Sequence, residues 1–523
     1  MIASTKKFGN LALVALCTAA MLAACSSDNG GGTDSTASET QSSNQTEGNS
    51  NSSSQTGENP ESPDLEPYNL TLALPIFGAV PPDLEAVEAE MNKITQAEIN
   101  TTIDILPISI GAWQQQMNLM TSSGEKLDLL FEFGSGYPHD AAAGKIMPMD
   151  EVLEKHGQGI MEAVGEKFMK AAAIDGKIYG VPVYTAYGTQ SVIYMRKDLV
   201  EKYQIDITSI QSIEDLGPVF ETIKANEPGI IPLASGRSTP LNFYRNYDRL
   251  GDSIGVLPGF DNGLKVENLY ELEDYKKNVE LMRQWFKAGY INKDAATTQT
   301  TVQQMVKADK AFSYFWADKP GQMAGETLAT GKELVVVNLL PEIYTTTNDV
   351  LIGLWSIAAQ SENPERAMMM LNLLYTNEKL TNLFVWGIEG KHYVKVSETQ
   401  IDFPEGVDSS TVGYRITDWL GGNKTLMYVF KTDAADLRKQ ERAFNDSIKP
   451  SRAFGFAFNA QPVKNEITAI NTVIEQYRQG LETGTVDPSN KLDEFNKKLK
   501  AAGLDKVIAE KQRQLDEWAA SNK

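Results

Sequence analysis

Imidazole and thiol chemistry have little to work with in this chain. Its histidines are His139, His156 and His392, and its two cysteines, Cys17 and Cys25, both lie near the start. There is no H-E-x-x-H pair, G-x-S-x-G elbow, phosphate-cradling P-loop or EF-hand loop. Cysteine metal sites are excluded for everything after Cys25, and neither a metal nor a cofactor is expected. Two kinds of chemistry remain. Two carboxylates facing each other across a cleft hydrolyse glycosidic bonds, whereas aromatic faces combined with planar polar groups bind solutes. The chain has seven tryptophans for the second kind. One cluster is marked by its position. The apolar run LDLLFEF (127–133) leads into the loop FGSGYPHD, so Glu132, Ser135 and Tyr137 lie on or just beyond a strand. Gly134 and Gly136 in the same loop permit close backbone approach.

Those residues need a frame. In YNLTLALPIF (68–77) apolar and polar residues alternate, with Leu70, Leu72 and Leu74 on one face, which predicts a strand. Pro81 and Pro82 then precede Leu84, Val87, Met91 and Ile94, spaced for one face of a helix. A second strand near TTIDILPI and a helix carrying Trp113, Met117 and Met120 follow, then LDLLFEF as a third strand. Such alternation predicts a parallel α/β sheet, and ligands bind such sheets beyond the C-terminal ends of the strands. The pattern resumes after residue 188, where SVIYMRKDLVEKY reads as a strand running into a helix. Val279, Met282 and Phe286 share a helical face, KAFSYFWAD and ELVVVNLLP read as strands, and 362–383 opens a helix pair. The stretch 462–520 is helix-rich and is broken at ETGTVDPSN and AAGLDK.

The formal net charge is −21, which argues against nucleic acid as a partner because phosphate binding needs clustered Lys and Arg. Lys6 and Lys7 precede an apolar run from Leu11 to Ala24 that is shorter than the roughly 20 residues of a spanning helix. This is the pattern of a secretory signal. Its end, Leu22-Ala23-Ala24-Cys25, looks like the lipobox of bacterial lipoproteins. Residues 1–24 are therefore expected to be a signal peptide and Cys25 the lipidation site. Residues 25–67, rich in Ser, Thr, Asn and Gly, are expected to be a disordered tether. As a coil it would reach roughly 35 Å.

Several longer segments resemble one family. GKIYGVPVYTAYGTQSVIYMRKDLVEKY resembles the crossover of family-1 extracellular solute-binding proteins of ABC importers. AFSYFWADKPGQMA and WSIAAQSENPERAMMMLNLLYTNEKLTNLFVWGIEGKHYV are similar to later parts of that family. The C-terminal stretch from GFAFNAQPVKNEI resembles a domain of unknown function found in one subgroup.

The resemblance implies an α/β chain of two lobes, a type II periplasmic-binding-protein-like fold with the ligand cleft between the lobes and a helix-rich C-terminal region. Lobe 1 is expected at 68–183 plus 341–383, and lobe 2 at 188–338 plus 384–523. Hinge closure on a small-molecule solute, by family an oligosaccharide, and delivery to ABC permease subunits follow as expectations. So do a membrane attachment through lipid and a monomeric state. The resemblance places candidate ligand residues at Trp316, at the end of its strand, and at Trp355, before its helix. Others are Trp386 in the V-W-G-I-E-G turn, Trp419 before Gly421, and Tyr184, Tyr187 and Gln190 in the crossover. Arg237 in ASGRSTP and Trp113 at its helix start complete the set, while Trp285 and Trp518 read as packing residues. His392 reads as structural. A secreted glycoside hydrolase and a surface adhesin without a small ligand stay open as alternatives.

Overall fold

The structure is a computed structural model, and it describes residues 65–134 and 136–522. Cys17, Cys25, the signal segment, the tether up to residue 64 and Ser135 lie outside the described residues. In chain order the strands of the main sheets are β1 (Tyr68–Ile76), β2 (Thr101–Ser109), β3 (Leu129–Glu132), β4 (Val181–Pro182) and β5 (Gln190–Arg196). They continue with β6 (Ile231–Leu233), β7 (Ala311–Asp318), β8 (Leu334–Asn338) and β9 (Leu354–Ile357). The first lobe holds a five-stranded sheet in the order β2-β1-β3-β9-β4, and the second a four-stranded sheet in the order β8-β5-β7-β6.

The expected parallel sheet holds for β1 with β2 and β3. β9, however, runs antiparallel to β3 and β4, and β5 runs antiparallel to β7 and β8. β9 returns from the other lobe and enters its sheet from the opposite end, so local alternation could not reveal its direction. Covering helices explain why β1 is apolar on both faces from Leu70 onward. β5 is likewise sandwiched, with Ile193 and Met195 in one core and Val192 and Tyr194 in another.

The expected assignment of 384–523 to the second lobe needs correction. Phe384, Val385, Tyr393, Ile401, Tyr414, Leu420, Met427 and Ile448 are buried in the first lobe's core. Their apolar faces have no other cover, so the chain stays in that lobe until residue 448. It crosses at 188–191, 340–343 and 449–458. The C-terminal helices Lys464–Glu482, Pro488–Ala501 and Leu504–Ser521 pack on the second lobe, through Ile470, Leu481, Phe495 and Val507.

Single polar groups fix the joints. Buried Arg366, on the helix Pro364–Thr376, donates to the carbonyls of Ile99 at 2.8 Å and Asn100 at 3.1 Å and to Thr101 Oγ1 at 2.9 Å. It thereby binds the end of the helix Leu84–Ile99 and the start of β2. His392 is structural, as expected. Its Nδ1 accepts from the Ile388 N–H at 2.9 Å, and its Nε2 sits 3.0 Å from Asp83. A side chain on Gly387 (φ +83°) would lie 2.3 Å from that Nδ1, so the turn requires glycine. Lys391 and then His392 hold the Asp83 carboxyl below its ordinary range. Asp83 is thus pinned, and with it the loop that leaves β1.

Among the described residues no helix is long and apolar enough to cross a membrane. Nor is any group of three or more His, Cys, Asp or Glu side chains placed to hold a metal.

Candidate functional site

The C-terminal ends of β1 and β3 carry a connected set of aromatic rings. Phe77, the first residue past β1, is 47% exposed. Its ring lies 5.4 Å from Trp419 and 6.4 Å from Phe133. Phe133 meets Trp113 edge-on at 6.1 Å and Trp419 at 6.1 Å. Below them Phe131 packs edge-on against both Trp355, at 5.2 Å, and Trp419, at 5.4 Å. Phe77, Phe133 and Trp419 form the accessible rim, and Trp113, Phe131 and Trp355 the buried base. Gly353 makes the fit possible. A Cβ there would stand 2.4 Å from the Phe131 ring and 3.2 Å from the Trp419 ring.

Glu132 ends β3 beside this cluster and is buried. Burial pushes its carboxyl up to about 8, the charge of Asp140 adds to this, and Lys145 opposes it. At neutral pH it is therefore a neutral acid, able to donate one hydrogen bond and accept another.

The second lobe answers with its own aromatic pair at the end of β7. Trp316 tilts against Phe243 with centroids 4.4 Å apart and meets Tyr314 edge-on at 6.1 Å. Next along, the half-buried Asp318 carboxylate accepts from the Tyr194 hydroxyl at 2.6 Å. Burial raises the pKa of Asp318.

Charged groups stand on both walls, with Lys319 just past β7 within reach of the charges of Asp418 and Lys424. Burial lowers the Lys319 ammonium, and the like charge of Lys424 lowers it further. Burial alone would raise Asp418, but Lys424, Arg438 and Lys319 outweigh it and hold that carboxyl below its usual range. Asp418 pairs with Lys424 at 2.9 Å, and Arg438 pairs with Glu441 at 2.8 Å. One inter-lobe cavity is lined by Gln190, Asp318, Lys319, Gly321 and Met323 from the second lobe and Phe444 from the first. Another lies against the crossing segments and is lined by Ser191, Phe243, Arg245, Arg249, Tyr344 and Asp349, among others.

The residues expected to hold ligand divide into groups. Glu132, Trp113, Trp355 and Trp419 meet at one end of the first sheet, and Gln190 and Trp316 stand on the second wall. Trp355 is wholly buried and donates its indole N–H to the Leu420 carbonyl at 2.8 Å, so in this conformation it supports the rim from beneath. Tyr137 is also fully buried, its hydroxyl donating to the Ala172 carbonyl at 2.6 Å.

Tyr184 and Tyr187 are buried and meet edge-on at 5.7 Å. Tyr187 N–H donates to Asn445 Oδ1 at 2.8 Å, which ties the crossover to the helix Leu437–Ser447. Trp386 is buried against Phe430, 5.4 Å away, apart from the rim rings. Arg237 is exposed on a second-lobe loop and lines neither cavity. Phe77, Phe133, Phe243, Asp418 and Lys319 were missed from sequence. Phe77 had a readable signal, because it follows a parallel strand just as the loop after β3 does. Phe243, in a short turn of Pro240–Phe243, had none.

Two α/β lobes, joined by crossing segments and facing each other with aromatic walls, define a receptor for small solutes. The family model for bacterial extracellular solute-binding proteins matches residues 80–380, and a domain of unknown function (DUF3502) matches 452–520. A carbohydrate ABC transporter substrate-binding protein of Streptococcus pneumoniae serotype 4 is 30% identical over 455 residues, covering 86% of this chain and 90% of that protein. The chain belongs to the bacterial extracellular solute-binding proteins of ABC importers, acts outside the cytoplasm, and is not an enzyme.

Among solved structures, the N-glycan transport solute-binding protein NgtS of S. pneumoniae is 28% identical, with 88% of this chain and 100% of that one covered and a TM-score of 0.76. For the same protein in complex with Man1GlcNAc and with Man5GlcNAc the TM-scores are 0.65 and 0.63.

Proposed function

We propose that this protein captures an oligosaccharide between its lobes by hinge closure and hands it to its ABC permease. The observation that carries this reading is the pair of aromatic walls, Phe77, Phe133 and Trp419 on one lobe and Phe243 and Trp316 on the other. Pyranose rings offer apolar C–H faces to such rings and a rim of hydroxyls to groups such as Gln190 and neutral Glu132. Walls on separate lobes grip a ring from both sides only when the lobes approach. The ligand therefore favours the closed arrangement by its differential contacts there.

The glycan-bound relative supports the reading. Its structural agreement with this chain is lower in both complexes than in the form solved with no named glycan. The present arrangement is accordingly more similar to the form with no named glycan than to either complex.

The lipid anchor at Cys25 belongs to the same proposal. Its support is the basic start, the short apolar run and the Leu22-Ala23-Ala24-Cys25 ending. Attachment holds the receptor at a high effective concentration beside its transporter. Calorimetry of the full chain against N-glycan oligosaccharides, peptides and polyamines tests the ligand class. Saturable binding of an oligosaccharide is expected, and tight binding of a peptide with no response to any sugar would sink the reading.

A further inference from the structure

The cavity against the crossing segments contains two guanidinium groups with no carboxylate attached. Arg245 and Arg249 both line it, and among the described residues neither has an acidic group within ion-pair distance. The other cations near the cleft behave differently, since Lys424 pairs with Asp418 and Arg438 with Glu441. The cavity's one carboxylate, Asp349, is already engaged. Its Oδ2 accepts from the Thr346 N–H at 2.8 Å and from Thr346 Oγ1 at 2.7 Å, closing a helix cap. Arg245 Nε donates to the Asn242 carbonyl at 2.7 Å, which fixes the head group. Among the described residues its two terminal nitrogens have no hydrogen-bond partner.

We propose that Arg245 and Arg249 form a subsite for a carboxylate carried by one sugar of the ligand. The inference rests on the oligosaccharide reading above and narrows it to acidic oligosaccharides. Several features point the same way. A guanidinium offers a planar fork that matches a carboxylate with two parallel hydrogen bonds. Two like charges held together in a half-buried cavity repel each other, and an anion between them relieves the repulsion whereas a neutral hydroxyl does not. Burial and the neighbouring Arg249 charge press on Arg245 against the charged form, joined by Arg478, and Tyr247 and Asp349 oppose them without reversing the direction. With a chain charge of −21, an anion gains nothing from the protein as a whole, so attraction here is a local arrangement. Ring faces stand beside the charges. Phe260 stacks on Tyr344 with centroids 4.3 Å apart and planes 7° from parallel, and Phe243 lines the same cavity. A sugar ring and its carboxylate are thus served side by side.

The carboxylate can come from a sialic acid or from a uronic acid, and two arms separate these. In one, the purified full chain is titrated calorimetrically with a sialylated N-glycan and with the same glycan after removal of sialic acid. In the other it is titrated with a uronate-containing tetrasaccharide and with its carboxyl-reduced form. In at least one arm the acidic glycan is expected to bind roughly tenfold tighter than its neutral partner. That advantage should shrink as ionic strength rises. In Arg245→Gln/Arg249→Gln the acid-to-neutral ratio should fall to near one. The single variant Arg249→Gln gives an intermediate ratio, and thermal unfolding checks that each variant is folded. Equal affinities in both arms, or a ratio unchanged in the variants, would overturn the subsite while leaving the sugar receptor standing. No binding of any glycan in either arm would remove the receptor reading and the subsite with it.

Discussion

Replacing Glu132 by glutamine keeps the shape of a buried side chain and removes its proton equilibrium. Glu132 is only 4% exposed at the end of β3, and its value moves from the ordinary 4.5 to about 8 in the folded chain. The folded state thus holds this proton more tightly than the unfolded state does. The group's contribution is fully present below about pH 4.5 and is lost as pH climbs towards 8. At about 1.4 kcal/mol per pH unit, the loss between pH 5 and pH 8 is of the order of 4 kcal/mol. Other buried acids, Asp248 and Glu482, are also raised by burial and slope the same way, so the informative quantity is the difference between the two proteins. Urea unfolding of wild type and Glu132→Gln at intervals from pH 5 to pH 8 measures it. The two should be close in stability at pH 5 and should diverge steadily, the variant being the more stable by several kcal/mol at pH 8. Curves that stay parallel across the window would refute the claim that Glu132 is a neutral acid in the cleft wall.

Trp419→Ala removes a rim ring and should weaken oligosaccharide binding roughly tenfold by calorimetry. Trp355→Phe removes buried volume and leaves the Leu420 carbonyl unpaired, so it should cost about 2 kcal/mol of stability in urea unfolding, more than Trp419→Ala does. Arg366→Met removes one of the two donors to each of the carbonyls of Ile99 and Asn100, leaving Thr101 Oγ1 and the Tyr68 N–H, and should destabilise the chain by about 2 kcal/mol in the same assay. Cys25→Ser should release the protein from membranes into the medium, read by fractionation, with solute affinity unchanged, and a loss of affinity would contradict the division between anchor and receptor.

Much of the frame is legible locally. Alternation in YNLTLALPIF yields β1, and helical spacing around Val279 and Met282 yields Glu273–Lys287, where Trp285 is buried against Phe220 at 4.9 Å. These elements bury one side of a short repeat, so their pattern is carried by neighbouring residues. The site is less legible because it is made of distant ones. Phe77 meets Trp419 only after the chain has visited the second lobe and come back. Nothing around Trp419 distinguishes it from Trp386, which lies against Phe430 instead. Trp355 follows Gly353 at a strand, the expected place for a ligand ring, yet it is covered by Phe131 and Leu420. The long return through 384–448 was misplaced for the same reason. Its apolar residues are plain in the sequence, but the core they join is chosen by the fold. The pairing state of Arg245 and Arg249 is equally a tertiary property, since any arginine reads as paired or free until its neighbours are known.

The most direct test of the central claim is small-angle scattering of the full chain in solution with and without Man5GlcNAc, the glycan held by the relative, alongside a calorimetric titration of the same sample. The account predicts saturable binding with a decrease in radius of gyration that follows the binding curve, and recovery of the glycan intact. Binding with no change in radius would contradict hinge closure, and cleaved glycan in the recovered sample would contradict a receptor.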